Sequence, residues 1–191
     1  MGTPASRDAY FETGLDILAN EGYGALKLSE VCNRLGVTTG SFYHFFKNWG
    51  SYTEALLQYW LKTRTVRQME AARAITDPFE RVSLLIQVGL ALPHGAEAAI
   101  RTWSSVSPEV RPIQEEVDKN RYAIVYESAF DLLGDVEKAQ GFASWAIYIL
   151  IGYEQAALPH DVSSLGWVAQ QMLDSLALQA GLNVSGSLEN Q

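Results

Sequence analysis

The chain is predicted to be all-α, with an N-terminal three-helix helix-turn-helix domain, a C-terminal helical domain and about nine helices in total. Three observations carry that prediction. Apolar residues recur at spacings of three and four along most of the chain, and no two-residue alternation persists beyond a few positions. Glycine and proline fall between these periodic stretches and mark them off as separate helices. Hydrophobic residues make up 48% of the 191 and charged residues 19%, which is the balance of a chain that buries a core rather than staying disordered.

The first helix is expected over residues 6–20, where Phe11, Leu15 and Leu18 recur at helical spacing beside Tyr10, Gly14 and Ile17. Gly22 suits its C-terminal cap. Gly14 inside a helix costs about 1 kcal/mol relative to alanine, a cost that a close helix crossing would explain. The second helix is expected over 29–35, turning Leu28, Val31, Cys32 and Leu35 inward. Gly36 ends it and Val37 plugs the turn. Thr38 then suits an N-cap, because its hydroxyl accepts an orphan amide of the next first turn. The third helix, over 39–46, buries Phe42 and Phe46 four residues apart. That leaves Thr39, Ser41, Tyr43 and His44 facing outward, with Lys47 just beyond. Two short helices about a tight turn, the second with a polar outer face, suit a helix-turn-helix. In that motif one helix braces across the DNA backbone and the next enters the major groove.

A long helical pattern follows over 51–74, with Leu56, Leu57, Trp60 and Leu61 as its apolar stripe. Asp77 and Pro78 break and restart the chain, as cap and first helical residue, for a helix to about residue 92. Pro93-His94-Gly95 stops it, and a shorter helix is expected over 96–105. Ser107-Pro108 starts the next, which runs to 133 and ends at Gly134. A helix over 135–158, apolar on nearly all sides, and a last one to about residue 180 complete the pattern. The expected domains are 1–50 for DNA binding and 51–181 for effector binding and dimerisation, with 182–191 as a flexible tail.

Net charge is −8 and is unevenly spread. Residues 1–70 carry seven Lys or Arg and seven Asp or Glu, so the excess acidity belongs entirely to residues 71–191. The N-terminal region is therefore neutral, not repulsive to DNA, and lacks a strongly basic footprint. Cys32, the only cysteine, falls on an apolar helix face and reads as a small core residue. Nothing at the N-terminus has the apolar core of a secretory signal, and the longest apolar run, 142–153, is short for a membrane span. A cytoplasmic location is expected. His, Cys, Asp and Glu do not cluster at metal-ligand spacing, and no nucleophile elbow, phosphate loop or acid–base pair is present. Neither a metal, nor a cofactor, nor an enzymatic activity is expected.

One string is more specific than a bare helix-turn-helix. Gly22-Tyr23, Leu35-Gly36-Val37, Gly40-Ser41-Phe42-Tyr43-His44, Phe46-Lys47, and then Leu56-Leu57 together make the first 57 residues resemble the TetR family of bacterial transcriptional regulators. The resemblance implies a homodimer whose recognition helices enter successive major grooves of a pseudo-palindromic, double-stranded operator. It further implies a small molecule in the C-terminal domain that re-spaces those helices and releases the DNA, most simply as a repressor. By position, Thr38, Thr39 and Ser41 fall where the family contacts bases or phosphates. Tyr43 falls on its phosphate-contacting tyrosine, His44 on a base or phosphate reader, and Lys47 on the phosphate-contacting lysine. The chain departs from the family pattern at Thr39, where a basic residue is common, and at Trp49-Gly50-Ser51-Tyr52, where acids commonly open helix four. It departs again at Lys27, where a Thr cap is usual and Ser29 is the candidate substitute. The alternative reading is a TetR-like protein–protein interaction module with weakened operator binding.

The C-terminal region is rich in aromatic residues. Tyr122, Tyr126 and Phe130 recur every four residues and share a helix face. With Trp103, Trp145, Tyr148 and Arg101 they are the candidate lining for a small apolar or aromatic effector, Arg101 orienting a polar group. The stripes on the last two helices suit pairing across a two-fold axis as a four-helix bundle. Phe142, Ile149, Tyr153, Leu165, Val168, Met172 and Leu176 are the candidate dimer contacts.

Overall fold

The computed structural model describes residues 6–182. Among them every regular element is helical: α1 (Arg7–Glu21), a 3-10 turn (Tyr23–Ala25), α2 (Leu28–Leu35), α3 (Thr39–Phe45), α4 (Trp49–Leu61), a π turn (Lys62–Val66), α5 (Arg67–Arg73), α6 (Pro78–Leu90), α7 (His94–Val106), α8 (Arg111–Leu133), α9 (Val136–Gln155) and α10 (Val162–Gln179). The π turn joins α4 to α5 without a loop. With α4, the π turn and α5 counted as one helical stretch, the described helices number nine, as the periodicity predicts.

Side chains set most of the helix starts. Ser6 caps α1 by accepting from the Ala9 amide at 3.2 Å, and Asp77 caps α6 by accepting from the Glu80 amide at 2.9 Å. Asp135 caps α9 through the Lys138 amide at 3.1 Å, and Asp161 caps α10 through the Ser163 amide at 3.0 Å. Several boundaries depart from the expected ones, α7 beginning at His94 inside the expected Pro93-His94-Gly95 stop, and three other departures have a visible cause. Helix α4 begins at Trp49, not at residue 51, because Asn48 and Ser51 form a reciprocal capping box. Helix α8 begins at Arg111 rather than at Ser107-Pro108, because the Ser107 carbonyl accepts from the Val110 and Arg111 amides in a tight turn. Helix α2 begins at Leu28, with Lys27 as a cap that makes no side-chain bond, so Ser29 does not cap it.

Two compact units emerge, and neither is continuous in sequence. The first takes residues up to Thr65 together with Pro93–Val117; the second takes Val66–Leu92 and the chain from Asp118 onward. This division places α4 and α7 with the three N-terminal helices, beyond the expected boundary at residue 50.

The first unit is built on aromatic residues. Tyr10, Phe42, Tyr52 and Trp60 are fully buried, as are Ile17, Leu56 and Ile100. Gly14 lies in the crossing of α1 and α4. A Cβ there would overlap the Tyr52 hydroxyl and come within 3.1 Å of a Leu56 methyl carbon. The Tyr52 hydroxyl donates to the Tyr10 carbonyl at 2.8 Å, so the missing side chain of Gly14 makes room for a buried hydrogen bond. Burial pushes the Tyr52 hydroxyl well above its ordinary range. Helix α7 lies along α1. Gly95 approaches the Ala19 backbone, where a Cβ would come within 3.1 Å of the Ala19 carbonyl carbon. Trp103 stacks on Tyr23 at 4.8 Å, and the buried Trp60 indole donates to the buried Glu97 carboxylate at 2.8 Å.

The second unit has two apolar clusters. In one, Val82, Ala129, Ala139, Phe142, Met172 and Leu176 pack together; in the other, Met69, Ala72 and Ile124 do. Ion pairs fix α8 at its surface, Arg73 to Glu127 at 3.1 Å and Arg81 to Asp131 at 2.7 Å. No single helix among the described residues is long and apolar enough to cross a membrane.

Candidate nucleic-acid interface

The turn between α2 and α3 is fixed by glycine. Gly36 adopts a left-handed conformation at φ 64°, which lets the Val37 amide reach back to the Cys32 carbonyl at 3.0 Å. Cys32 beneath it is buried, and that burial pushes its thiol pKa up. The Thr38 hydroxyl then accepts from the Ser41 amide at 3.3 Å and starts α3.

Phe42 holds α3 in place. Fully buried, it packs edge-on to Tyr10 and Tyr52 and against Phe46 at 5.1 Å. With Phe42 and Phe46 inward, the opposite face is left to solvent. Thr38, Thr39, Tyr43, His44 and Lys47 are exposed and Ser41 is half-buried. Tyr43, 56% exposed, stands edge-on to Phe42 at 5.5 Å, so its hydroxyl end is free while its ring is braced. All six sequence-selected residues therefore lie on one short helix or at its two ends. Phe45, which the sequence reading passed over, is partly exposed on α3 and packs against Tyr10 at 5.4 Å.

Charge around this face is sparse. Arg34, the only cation of α2, is engaged by Asp16 at 2.7 Å, by Glu30 at 2.8 Å and by Glu21. Arg64 on the π turn faces Glu12 at 3.6 Å. Among the described residues up to Thr65, Arg7, Lys27, Lys47 and Lys62 make no ion pair. Lys47 is directly followed by the capping box of α4, whose Asn48–Ser51 bonds fix the backbone on which it sits.

The effector candidates divide between the units. Arg101 and Trp103 belong to the first, where Trp103 is buried against Tyr23. Tyr122, Tyr126 and Phe130 form a stacked row along α8 in the second, with centroids 6.4 and 6.0 Å apart. Trp145 and Tyr148 are exposed on α9. Of the candidate dimer contacts, Phe142, Leu165, Met172 and Leu176 are buried inside the chain, whereas Ile149, Tyr153 and Val168 are half-buried. The apolar surface that α9 and α10 leave open is carried by their neighbours Trp145, Tyr148, Trp167 and Leu178. A signal was available in the sequence: Trp167 and Leu178, eleven residues apart, fall on one helix face, opposite the Leu165–Met172–Leu176 stripe.

Comparison with known proteins agrees with this geometry. Residues 11–48 match the family described as bacterial regulatory proteins, tetR family. The HTH-type transcriptional regulator BetI of Rhizobium meliloti is 24% identical over 123 residues, which are 64% of this chain and 59% of that protein. The match thus spans less than two thirds of that relative's length. Among solved structures, a TetR transcription regulator from Haloarcula marismortui superposes with a TM-score of 0.71 at 17% identity, covering 90% of this chain and 95% of the other. A transcriptional regulator from Saccharomonospora viridis, solved in complex with choline, gives a TM-score of 0.71 at 16% identity over 88% and 95% of the two chains. The turn at Gly36, the cap at Thr38 and the exposed face of α3 all lie inside the segment that matches the tetR family, and the solved TetR regulators share the fold of the chain.

Proposed function

We propose that the protein is a DNA-binding transcriptional regulator that acts as a homodimer and is controlled by a small-molecule effector, most simply as a repressor. The observation that carries this reading is the surface of α3. Phe42 anchors the helix while Thr38, Thr39, Ser41, Tyr43, His44 and Lys47 stay accessible on it and at its ends. Hydroxyl and imidazole groups on that face suit base edges and phosphates, and Lys47 suits a phosphate. Two copies related by a two-fold axis would present their α3 helices to half-sites one helical turn apart, about 34–36 Å.

The open apolar surface of α9 and α10 supports the dimer. The exposed Trp145, Tyr148, Trp167 and Leu178 suit a second copy, together with the half-buried Ile149, Tyr153 and Val168. Residues 1–50 serve as the DNA-binding domain and 51–181 as the effector and dimer domain. The Tyr122–Tyr126–Phe130 row supports an apolar or aromatic effector. Aromatic faces also attract quaternary ammonium groups, so the choline held by the S. viridis protein is the first compound to try. An effector acts only by binding one spacing of the α3 helices better than the other, with the α4–α5 stretch proposed as the element that carries the change.

Selection of duplexes from a randomised DNA pool tests the proposal. Recovery of a palindromic sequence with half-sites about one turn apart is the expected result. Recovery of no shared sequence would defeat it. One observation favours the alternative, an interaction module with weakened operator binding: the Arg34 charge is taken up by Asp16, Glu21 and Glu30. Under that reading, Tyr43→Phe and Lys47→Ala leave cellular function intact.

A further inference from the structure

We infer that Arg7 is a DNA-phosphate contact, pre-positioned by stacking on Phe46, and that it supplies part of the positive charge the α2–α3 segment lacks. The inference rests on the DNA-binding reading and extends it to a residue outside the helix-turn-helix.

The first consideration is which cations the head of the molecule has to offer. Arg34 is engaged by three carboxylates and Arg64 faces Glu12. Lys47 follows α3, Lys27 precedes α2, and Lys62 lies on the π turn away from α3 in sequence. Arg7, at the first residue of α1, is a further cation outside the helix-turn-helix. It is exposed and forms no ion pair among the described residues.

The second consideration is where its charge is held. The Arg7 guanidinium carbon lies 5.5 Å from the centroid of the Phe11 ring and 5.5 Å from that of Phe46. Phe11 is one helical turn along on α1. Phe46 is not on α1 at all: it ends α3, is buried, and directly precedes Lys47. The stacking therefore ties a cation from the start of α1 to the end of the recognition helix, beside the lysine expected on a phosphate. Lys47 is the residue after Phe46, so the Arg7 guanidinium and the Lys47 backbone lie near the same end of α3.

The third consideration is chemical. A guanidinium on an aromatic face keeps its N–H edge directed outward and free to bond, and its planar fork matches the geometry of a phosphate. Two ring contacts reduce the rotamer freedom that a surface arginine would otherwise lose on binding. Asp8 is the neighbouring acid on α1 and is exposed; it makes no ion pair with Arg7.

The test uses the full chain, with binding followed by fluorescence anisotropy on a selected duplex and on a scrambled duplex of equal length across a salt series. Arg7→Gln, Arg7→Lys and Lys47→Ala are compared with wild type, and far-UV circular dichroism checks their folding. Expected for Arg7→Gln is a several-fold loss of affinity, equal on both duplexes, with the log K against log salt slope shallower by about one. Arg7→Lys keeps the wild-type slope. A merely structural role for Arg7 would leave the slope unchanged. An unchanged slope in Arg7→Gln, with a shallower one in Lys47→Ala, overturns the inference and leaves the DNA-binding reading standing. Absence of DNA binding by the wild type overturns both.

Discussion

Replacing Gly14 by alanine probes the crossing on which the first unit is built. On helix propensity alone the change stabilises by about 1 kcal/mol. The structure opposes it. The new methyl overlaps the Tyr52 hydroxyl and crowds Leu56. Tyr52 cannot swing aside, because its ring is fully buried among Phe11, Phe42, Phe46 and Trp49. Displacing its hydroxyl breaks the bond to the Tyr10 carbonyl, which leaves a buried hydroxyl unsatisfied at about 1–3 kcal/mol. Forcing the ring against its neighbours adds about 1–3 kcal/mol of overpacking. Gly14→Ala is therefore expected to destabilise by about 3 kcal/mol net. Tyr52→Phe removes the oxygen that the methyl meets, so in that background Gly14→Ala should be close to neutral. The double-mutant coupling, the difference between those two costs, is therefore expected at about 3 kcal/mol. Urea denaturation at one fixed protein concentration measures it. A Gly14→Ala protein as stable as wild type, or one equally impaired in both backgrounds, would refute the reasoning.

Other perturbations bear on separate contacts. Gly95→Ala drives a methyl into the Ala19 backbone, which cannot rotate away, and should cost about 3 kcal/mol in the same assay. Trp60→Phe removes the indole donor from the buried Glu97 carboxylate and should cost about 2–3 kcal/mol by denaturant titration. Tyr59 donates to Glu12 at 2.5 Å, and that bond, with burial and nearby negative charge, pushes its pKa up to about 12. Because the folded value lies above the unfolded value of about 10, its stabilising contribution is present below pH 10 and is lost as pH rises toward 12. Ultraviolet titration should show this late ionisation, and Tyr59→Phe should remove that part of the alkaline destabilisation. Cys32, buried at 3% exposure, should react with a thiol reagent only at the rate of local unfolding, whereas prompt labelling in the native state would show that the α2–α3 turn is open.

The recognition segment was legible in the sequence because its cues are local. Gly36, Thr38 and the Phe42–Phe46 spacing determine a turn, a cap and a buried face within a dozen residues, and the structure forms each of them. Gly14 was legible only as an anomaly. Its explanation, Tyr52, lies on another helix and contributes a hydroxyl whose position no periodicity encodes. The stripe on α9 and α10 shows the opposite limit. Apolar spacing selects residues that are buried against something, but it does not distinguish a neighbour in the same chain from a second copy. Phe142, Met172 and Leu176 proved to be packed against Val82 and Ala129, and the open surface fell to Trp167 and Leu178. The grouping of α7 with the N-terminal helices was likewise hidden, since it depends on the approach of Gly95 to Ala19 across most of a hundred residues of intervening chain.

The central claim is that the exposed face of α3 reads DNA while Lys47 at its end grips the backbone. The most direct test is the ratio of affinities for a selected palindromic duplex and a scrambled one, measured for wild type, His44→Ala and Lys47→Ala. The account predicts a wild-type ratio well above one and a ratio reduced in His44→Ala. Lys47→Ala should keep the wild-type ratio while both affinities fall by about tenfold, as the loss of one charge-assisted phosphate contact implies. A wild-type ratio of one, or affinities that neither substitution changes, would contradict it.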